Sequence, residues 1–252
     1  MTNSFLQNPH LDGSTFFFEG NNDVCVILLH GFTSTSIEVR PLAEFINKAG
    51  YNVLGPLLPG HGTQPEDLNK CIWSDWINSI LTHYYKCKEK YRKVFVGGES
   101  MGGVLTCYLA ANEPDIKGIM LYAPAIKVER LGHSRYIRFF KKQIPKSNIN
   151  ENENETYPWQ GYTVHPTRAA YQFYLLQQKT SKLLRNIKQP AIIFQGKFDT
   201  TISPDSPNIV YDQIQSSVKE LVFLENSGHC VLLEKDFDYV TRKTLEFLRS
   251  NE

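Results

Sequence analysis

A serine hydroxyl becomes a useful nucleophile only when a base lies within hydrogen-bond reach and an acid orients that base. Gly98-Glu99-Ser100-Met101-Gly102 fits the pattern G-x-S-x-G. It lies where a strand-like run, residues 93–97, meets a helical pattern over 101–111, the context in which the pattern presents a serine on a sharp strand-to-helix turn. The glycines have a steric reason, because side chains two residues either side of the serine would collide with the neighbouring strand and helix. The hydroxyl would then point out of the sheet at a helix N-terminus, where the dipole favours developing negative charge. A small-residue turn that only packs a helix on a strand is the plainer alternative.

Seven histidines compete for the role of base. His229, in Asn226-Ser227-Gly228-His229, follows the last expected strand (220–224) and so emerges at the carboxyl edge of the sheet, the edge that presents Ser100. His30 and His61 also stand at strand ends, but each is followed by glycine in a tight loop and each precedes the serine. For the acid, Asp199 in Gln195-Gly196-Lys197-Phe198-Asp199 follows the penultimate strand (191–195) at the same edge. Asp205 opens an expected helix, where a cap explains it, and Asp212 lies inside that helix. The chain order Ser100, Asp199, His229 is the order used with such a serine elbow. An oxyanion would need two donors, for which the backbone N–H of Met101 and that of Phe32, in the loop His30-Gly31-Phe32, are the candidates.

The elements that must position these groups alternate. Val24–Leu29 is a continuous apolar run that reads as a strand buried on both faces, with an earlier edge strand at 15–19. A helix over 39–49 stopping before Gly50, a strand at 51–54, a long helix over 71–91, the strand and helix around Ser100, and a strand at 118–122 follow. This rhythm predicts an α/β fold with a parallel sheet covered by helices. It breaks between 126 and 187, where no buried strand is read. Residues 127–146 hold seven basic residues and one acidic one, and read as a solvated amphipathic helix carrying Ile137, Phe139, Phe140 and Ile144. A polar Asn/Glu run, 148–155, follows. The segment also contains Trp159, Tyr162, Tyr171, Phe173, Tyr174 and Leu175, too many large apolar groups for a solvated linker, so it is expected to fold back as a helical cap. The expected division is a core of residues 1–125 and 188–252 with a cap of 126–187. Helices at 204–214 and 235–249 close the chain. Phe32, Tyr157, Trp159 and Tyr162 are candidates to line a substrate pocket, against the duller role of core packing.

Composition narrows the partners. Across 252 residues, 41% are hydrophobic and 21% charged, near the averages for a globular chain, which argues against a disordered or membrane-spanning protein. The aliphatic run Val24–Leu29 is far below the roughly 18 residues that would span a bilayer. A formal charge of +1 provides no global field for nucleic acid or an anionic membrane. Residues 1–20 carry neither a basic leader nor an apolar stretch with a small-residue cleavage site, so a cytoplasmic location is expected. Cysteines 25, 71, 87, 107 and 230 make no C-x-x-C pair and no zinc-like spacing, and read as reduced structural thiols.

The chain resembles serine carboxylesterases of the α/β-hydrolase superfamily, close to bacterial monoacylglycerol lipases and small thermostable carboxylesterases. The resemblance rests on His30-Gly31-Phe32-Thr33-Ser34, Leu57-Leu58-Pro59-Gly60-His61-Gly62, Gly98-Glu99-Ser100-Met101-Gly102-Gly103, Gln195-Gly196-Lys197-Phe198-Asp199 and Ser227-Gly228-His229. It implies a mostly parallel central sheet flanked by helices, with a small helical cap inserted after the sixth strand. It implies hydrolysis of short to medium acyl esters or monoacylglycerols through an acyl-enzyme, without cofactor or metal. By the same resemblance Ser100 is the nucleophile, Asp199 the acid, His229 the base, and Phe32 and Met101 the oxyanion donors. Glu99 departs from the residue often found before such a serine, and a carboxylate there could shift the pH profile. The cap sequence departs further, so substrate selectivity does not carry over. The partner implied is a small-molecule ester, for a monomer or weak homo-oligomer. Feruloyl or aryl esterase and thioesterase activities use the same three residues, and a ligand-binding protein on a hydrolase fold is the reading from another class.

Overall fold

In the computed structural model of the chain, residues 5–146 and 156–252 are described. A two-residue strand β1 (Leu6–Gln7) and an edge strand β2 (Phe16–Phe18) precede β3 (Val24–Leu29), whose six side chains are all buried, as its unbroken apolar sequence requires. Then come α1 (Arg40–Lys48), β4 (Asn52–Gly55), the short α2 (Pro65–Leu68) and α3 (Trp73–Lys90). Helix α3 buries Trp76, Ile80, Tyr84 and Cys87, spaced three and four residues apart, and Asp75 takes the orphan Ile72 N–H at its start (2.9 Å). β5 (Lys93–Glu99), α4 (Met101–Asn112) and β6 (Ile119–Tyr122) complete the first half. β5 runs two residues beyond its sequence expectation of 93–97, because Gly98 and Glu99 read as part of the turn although both pair in the sheet.

The segment after β6 carries α5 (Ser134–Ile137), β7 (Gln143–Pro145), β8 (Gly161–Tyr162), β9 (Val164–Pro166) and α6 (Thr167–Ser181). The main sheet resumes with β10 (Ala191–Gly196), followed by α7 (Ser206–Gln213), β11 (Lys219–Leu224) and α8 (Phe237–Asn251). The sheet order is β11-β10-β6-β5-β3-β4-β2, parallel except for β2, which runs antiparallel to β4 at the edge. The expected mostly parallel sheet with helical layers is therefore present. Among the described residues no helix is long and apolar enough to cross a membrane.

The insertion is less helical than its sequence suggests. β7 pairs with β9, and β8 pairs with β1, all antiparallel. Strands of two or three residues are too short for alternation to register, which is why none was read there. The amphipathic helix expected over 127–146 is also replaced by a 3-10 turn, the four-residue α5 and β7, and Phe139 and Phe140 are 72% and 86% exposed. The Asn/Glu run falls almost wholly outside the described residues. α6 does fold back: Phe173 and Leu176 are buried, and Gln177 Nε2 donates to Ala125 O (2.7 Å).

Candidate active site

The chain adds β4 on one side of β3 and then returns to place β5 on the other, so a topological switch lies between β3 and β5. Leu29 is in register with Gly98, and the loops after both strands emerge side by side. Ser100 follows β5 with φ 55° and ψ −113°, a conformation costly for a residue with a Cβ. The close fit around it explains the flanking glycines. A Cβ on Gly98 would lie 2.4 Å from the Gly102 carbonyl, and one on Gly102 would lie 2.0 Å from Leu29 O. Strand and helix approach that closely because neither position has a side chain.

Gly196 at the end of β10 is in register with Leu224 at the end of β11, so the two following loops are also neighbours. They bring Asp199 and His229 to Ser100. His229 Nε2 lies 2.9 Å from Ser100 Oγ, and His229 Nδ1 lies 2.7 Å from Asp199 Oδ2. Asp199 is held from four sides: Oδ2 also accepts from Gln195 Nε2 (2.8 Å), and Oδ1 accepts the N–H groups of Thr201 (2.8 Å) and Ile202 (3.2 Å). Burial alone would raise the Asp199 pKa, but the His229 charge and these hydrogen bonds outweigh it and hold the carboxyl below its ordinary value. An ionised Asp199 accepts from Nδ1–H, which leaves the Nε2 lone pair facing the serine hydroxyl. For His229, burial pulls the pKa down. The charges of Asp199, Glu38 and Glu234 and the Asp199 hydrogen bond more than offset that, and the net shift is upward.

Met101 follows Ser100 in the chain, and the loop that carries Phe32 adjoins it. The Phe32 loop passes so close that a Cβ on Gly31 would lie 3.2 Å from Ser100 Cβ. Neither the Phe32 nor the Met101 N–H donates to a protein acceptor among the described residues. The Phe32 ring packs against Phe173 of α6 (5.5 Å between centroids) and edge-on to His61 and Trp76, so it bridges core and insertion. The other three pocket candidates are tied up differently. Tyr162 is fully buried, its hydroxyl donating to Gly60 O (2.8 Å) and accepting from Thr63 N–H (3.0 Å), which makes it a strut under the 56–62 loop. Tyr157 packs edge-on to Phe237 of α8 (4.8 Å). Trp159 donates its indole N–H to Glu38 Oε1 (3.2 Å), with Lys146 Nζ 4.4 Å above its ring.

Other side chains support the site, and of these Glu234, Asp236 and Lys146 carried no local signal in the sequence. Glu234 accepts the N–H groups of Gly228 and Cys230, while Asp236 accepts from Asn226 and Ser227, so two carboxylates cradle the His229 loop. His30, buried and pulled down to about 4, accepts the Leu58 N–H (3.0 Å), and its ring meets that of His61 edge-on. Lys146, drawn down to about 8 by burial, donates to Thr33 Oγ1 (2.7 Å). Among the described residues no group of His, Cys, Asp and Glu could hold a metal ion.

With this geometry in view, the comparisons with known proteins are specific. The family model described as serine aminopeptidase, S33, matches residues 20–236. The chain belongs to that family. Within it, the chain is 36% identical to a thermostable monoacylglycerol lipase of Bacillus sp. (strain H-257) over 249 residues, covering 96% of each. It is 33% identical to a carboxylesterase of Bacillus subtilis (strain 168), covering 92% of this chain and 95% of that one. A solved structure from work on the metagenome-derived lipolytic enzymes LipS and LipT superposes with a TM-score of 0.88 at 30% identity, covering 94% and 98% of the two chains. Family membership and this superposition agree on the α/β-hydrolase fold, and the named relatives are a monoacylglycerol lipase and a carboxylesterase, both ester hydrolases.

Proposed function

We propose that Ser100, His229 and Asp199 are the catalytic triad of this ester hydrolase, with the Phe32 and Met101 amides as its oxyanion hole. The observation that carries the reading is the unbroken hydrogen-bond line from Asp199 through His229 to Ser100. His229 takes the proton of Ser100 Oγ as that oxygen attacks the ester carbonyl. The negative charge that develops on the carbonyl oxygen falls between the two amides and near the N-terminus of α4. His229 then returns the proton to the leaving alcohol, and the acyl-enzyme forms. A water activated by the same histidine releases the acid. Asp199 fixes the imidazole tautomer and stabilises the imidazolium without taking the proton.

The substrates are short to medium carboxylic esters or monoacylglycerols, which agrees with the activities named for the relatives at 36% and 33% identity. Residues 126–187 form the cap over a core of 1–125 and 188–252, and Phe32 and Trp159, which link the two, stand at the acyl-binding side. A cytoplasmic location fits the pair Cys25 and Cys87, whose sulfurs lie 3.1 Å apart as thiols and not as a disulfide. The enzyme works as a monomer or weak homo-oligomer.

The test is p-nitrophenyl ester hydrolysis across acyl chains of increasing length, on wild type and Ser100→Ala in parallel. The variant should lose at least roughly 10³-fold in kcat, and the chain-length optimum sizes the pocket. Serine-independent turnover overturns the triad, and no turnover on any p-nitrophenyl ester while a thioester or hydroxycinnamoyl ester is cleaved overturns the substrate assignment.

A further inference from the structure

Three carboxyl groups outside the proposed triad are buried around it: Glu38, Glu99 and Glu234. Glu234 supports the His229 loop, and Glu99 accepts the Leu232 N–H (3.2 Å). Glu38 differs, because its two oxygens grip two separate parts of the molecule. It lies on the 3-10 turn Ser36–Val39, which Thr35 caps by accepting the Ile37 N–H, and is 4% exposed. Oε2 accepts the Gly31 N–H at 2.5 Å, and Oε1 accepts the Trp159 indole N–H at 3.2 Å. A Cβ on Gly31 would lie 3.1 Å from Glu38 Oε2 and 3.2 Å from Ser100 Cβ. Carboxylate, glycine and serine thus stand in one tightly packed row.

We infer that Glu38 is a positioning residue that aims the Phe32 N–H at the oxyanion by clamping Gly31, and that it couples this aim to the seating of the insertion through Trp159. The inference rests on the oxyanion-hole assignment above. A peptide group is rigid, so the Phe32 N–H points wherever the Gly31–Phe32 plane is turned. Glycine lets that plane turn. Gly31 O, which lies in it, accepts from the Ser34 N–H (3.3 Å) and stands 2.9 Å from His30 Nδ1, and the charge-assisted hydrogen bond from Glu38 fixes the preceding amide on the other side of Gly31. Such fixing matters because a donor already in place needs no reorganisation when charge develops. By charge alone a carboxylate beside an oxyanion is unfavourable. Burial raises the Glu38 pKa, while the hydrogen bonds from Gly31, Ser34 and Trp159 and the His229 charge favour its ionised form, so its benefit comes through geometry and through the His229 imidazolium, whose charge it supports together with Asp199 and Glu234. Lys146, on Thr33 Oγ1 and above the Trp159 ring, adds a second tie between the same loop and the insertion.

The experiment uses the full chain and p-nitrophenyl esters. Glu38→Gln keeps the shape but offers one acceptor oxygen where the Gly31 N–H, the Trp159 N–H and the Ser34 hydroxyl now share two, so its NH₂ displaces one of the two N–H bonds. We expect kcat about tenfold lower with KM within about twofold, since a misaimed donor costs the transition state and not the ground state. Adding Trp159→Phe removes one of the conflicting donors, and the double variant should recover most of the lost kcat. The acid limb of kcat/KM should also move to lower pH in Glu38→Gln, a change that a residue with only a structural role would not cause. Thermal midpoints of each variant separate lost aim from lost fold. A folded Glu38→Gln with wild-type kcat and an unmoved acid limb overturns the inference, as does a double variant no faster than Glu38→Gln alone. The two readings fail separately: an active Ser100→Ala sinks the triad, whereas a dead Ser100→Ala beside unaffected Glu38 variants sinks only the role of Glu38.

Discussion

His229 is subject to burial, which disfavours its charged form, and to the charges of Asp199, Glu38 and Glu234, which favour it, and the carboxylates win. A general base must be neutral to act, so activity falls as pH drops through its pKa. Because the net shift is upward, the acid limb of kcat/KM should lie above the ordinary histidine value of about 6.5. Glu234→Gln removes one of the stabilising charges, so the limb should move to lower pH, as a pH series on a soluble ester would show; an upward move would contradict this account. Each residue of the proposed triad was legible in the sequence because it follows a local marker, a glycine pattern or the end of an apolar strand. Glu38 and Glu234 were not legible. Their partners are backbone N–H groups, which every residue offers alike, or, for Glu38, a tryptophan 121 positions away.

At the scale of elements, the elbow depends on how closely β3, β5 and α4 approach. Gly102→Ala would put a methyl group 2.0 Å from Leu29 O, a backbone atom that cannot step aside without moving β3. We expect a loss of about 3 kcal/mol in denaturant unfolding, at the upper end of overpacking costs, with activity falling in parallel because Ser100 rides on the same turn. The central strands were readable as unbroken apolar runs, and the edge strand β2 shows why edges are harder: Phe16, Phe17 and Phe18 are chemically alike, yet Phe16 is buried and Phe17 is 43% exposed. Inside the insertion, Phe139 and Phe140 had the spacing of a buried helical face and instead extend into solvent beyond α5. Periodicity tells which residues can share a face, but only packing partners decide whether that face is covered.

For the whole molecule, the buried acids make stability depend on pH. Burial, and then the charge of neighbouring Glu38, pushes Glu99 well above the usual carboxylate range, and its Oε2 has no hydrogen-bond partner among the described residues. A carboxyl whose folded pKa is raised binds its proton more tightly in the native state. It therefore favours folding at pH below its unfolded pKa, and that contribution is lost as pH rises through the folded value. Glu99→Gln, which cannot ionise, should flatten the decline of thermal midpoint with rising pH and leave the variant more stable than wild type on the alkaline side. A steeper decline would show that the Glu99 charge is compensated. What the sequence alone determined was the order of the strands and helices of the main sheet and its covering layers, the serine elbow, and the loops from which Asp199 and His229 emerge, because apolar runs, glycines and strand ends are local consequences of steric and hydrophobic patterning. The tertiary structure decided which loops meet. The switch between β3 and β5 sets Gly31 against Ser100, the β10–β11 register brings Asp199 to His229, and the return of the insertion lays Trp159 on Glu38. These contacts join residues far apart in the chain, and they exist only once the sheet has brought its strand ends to one edge.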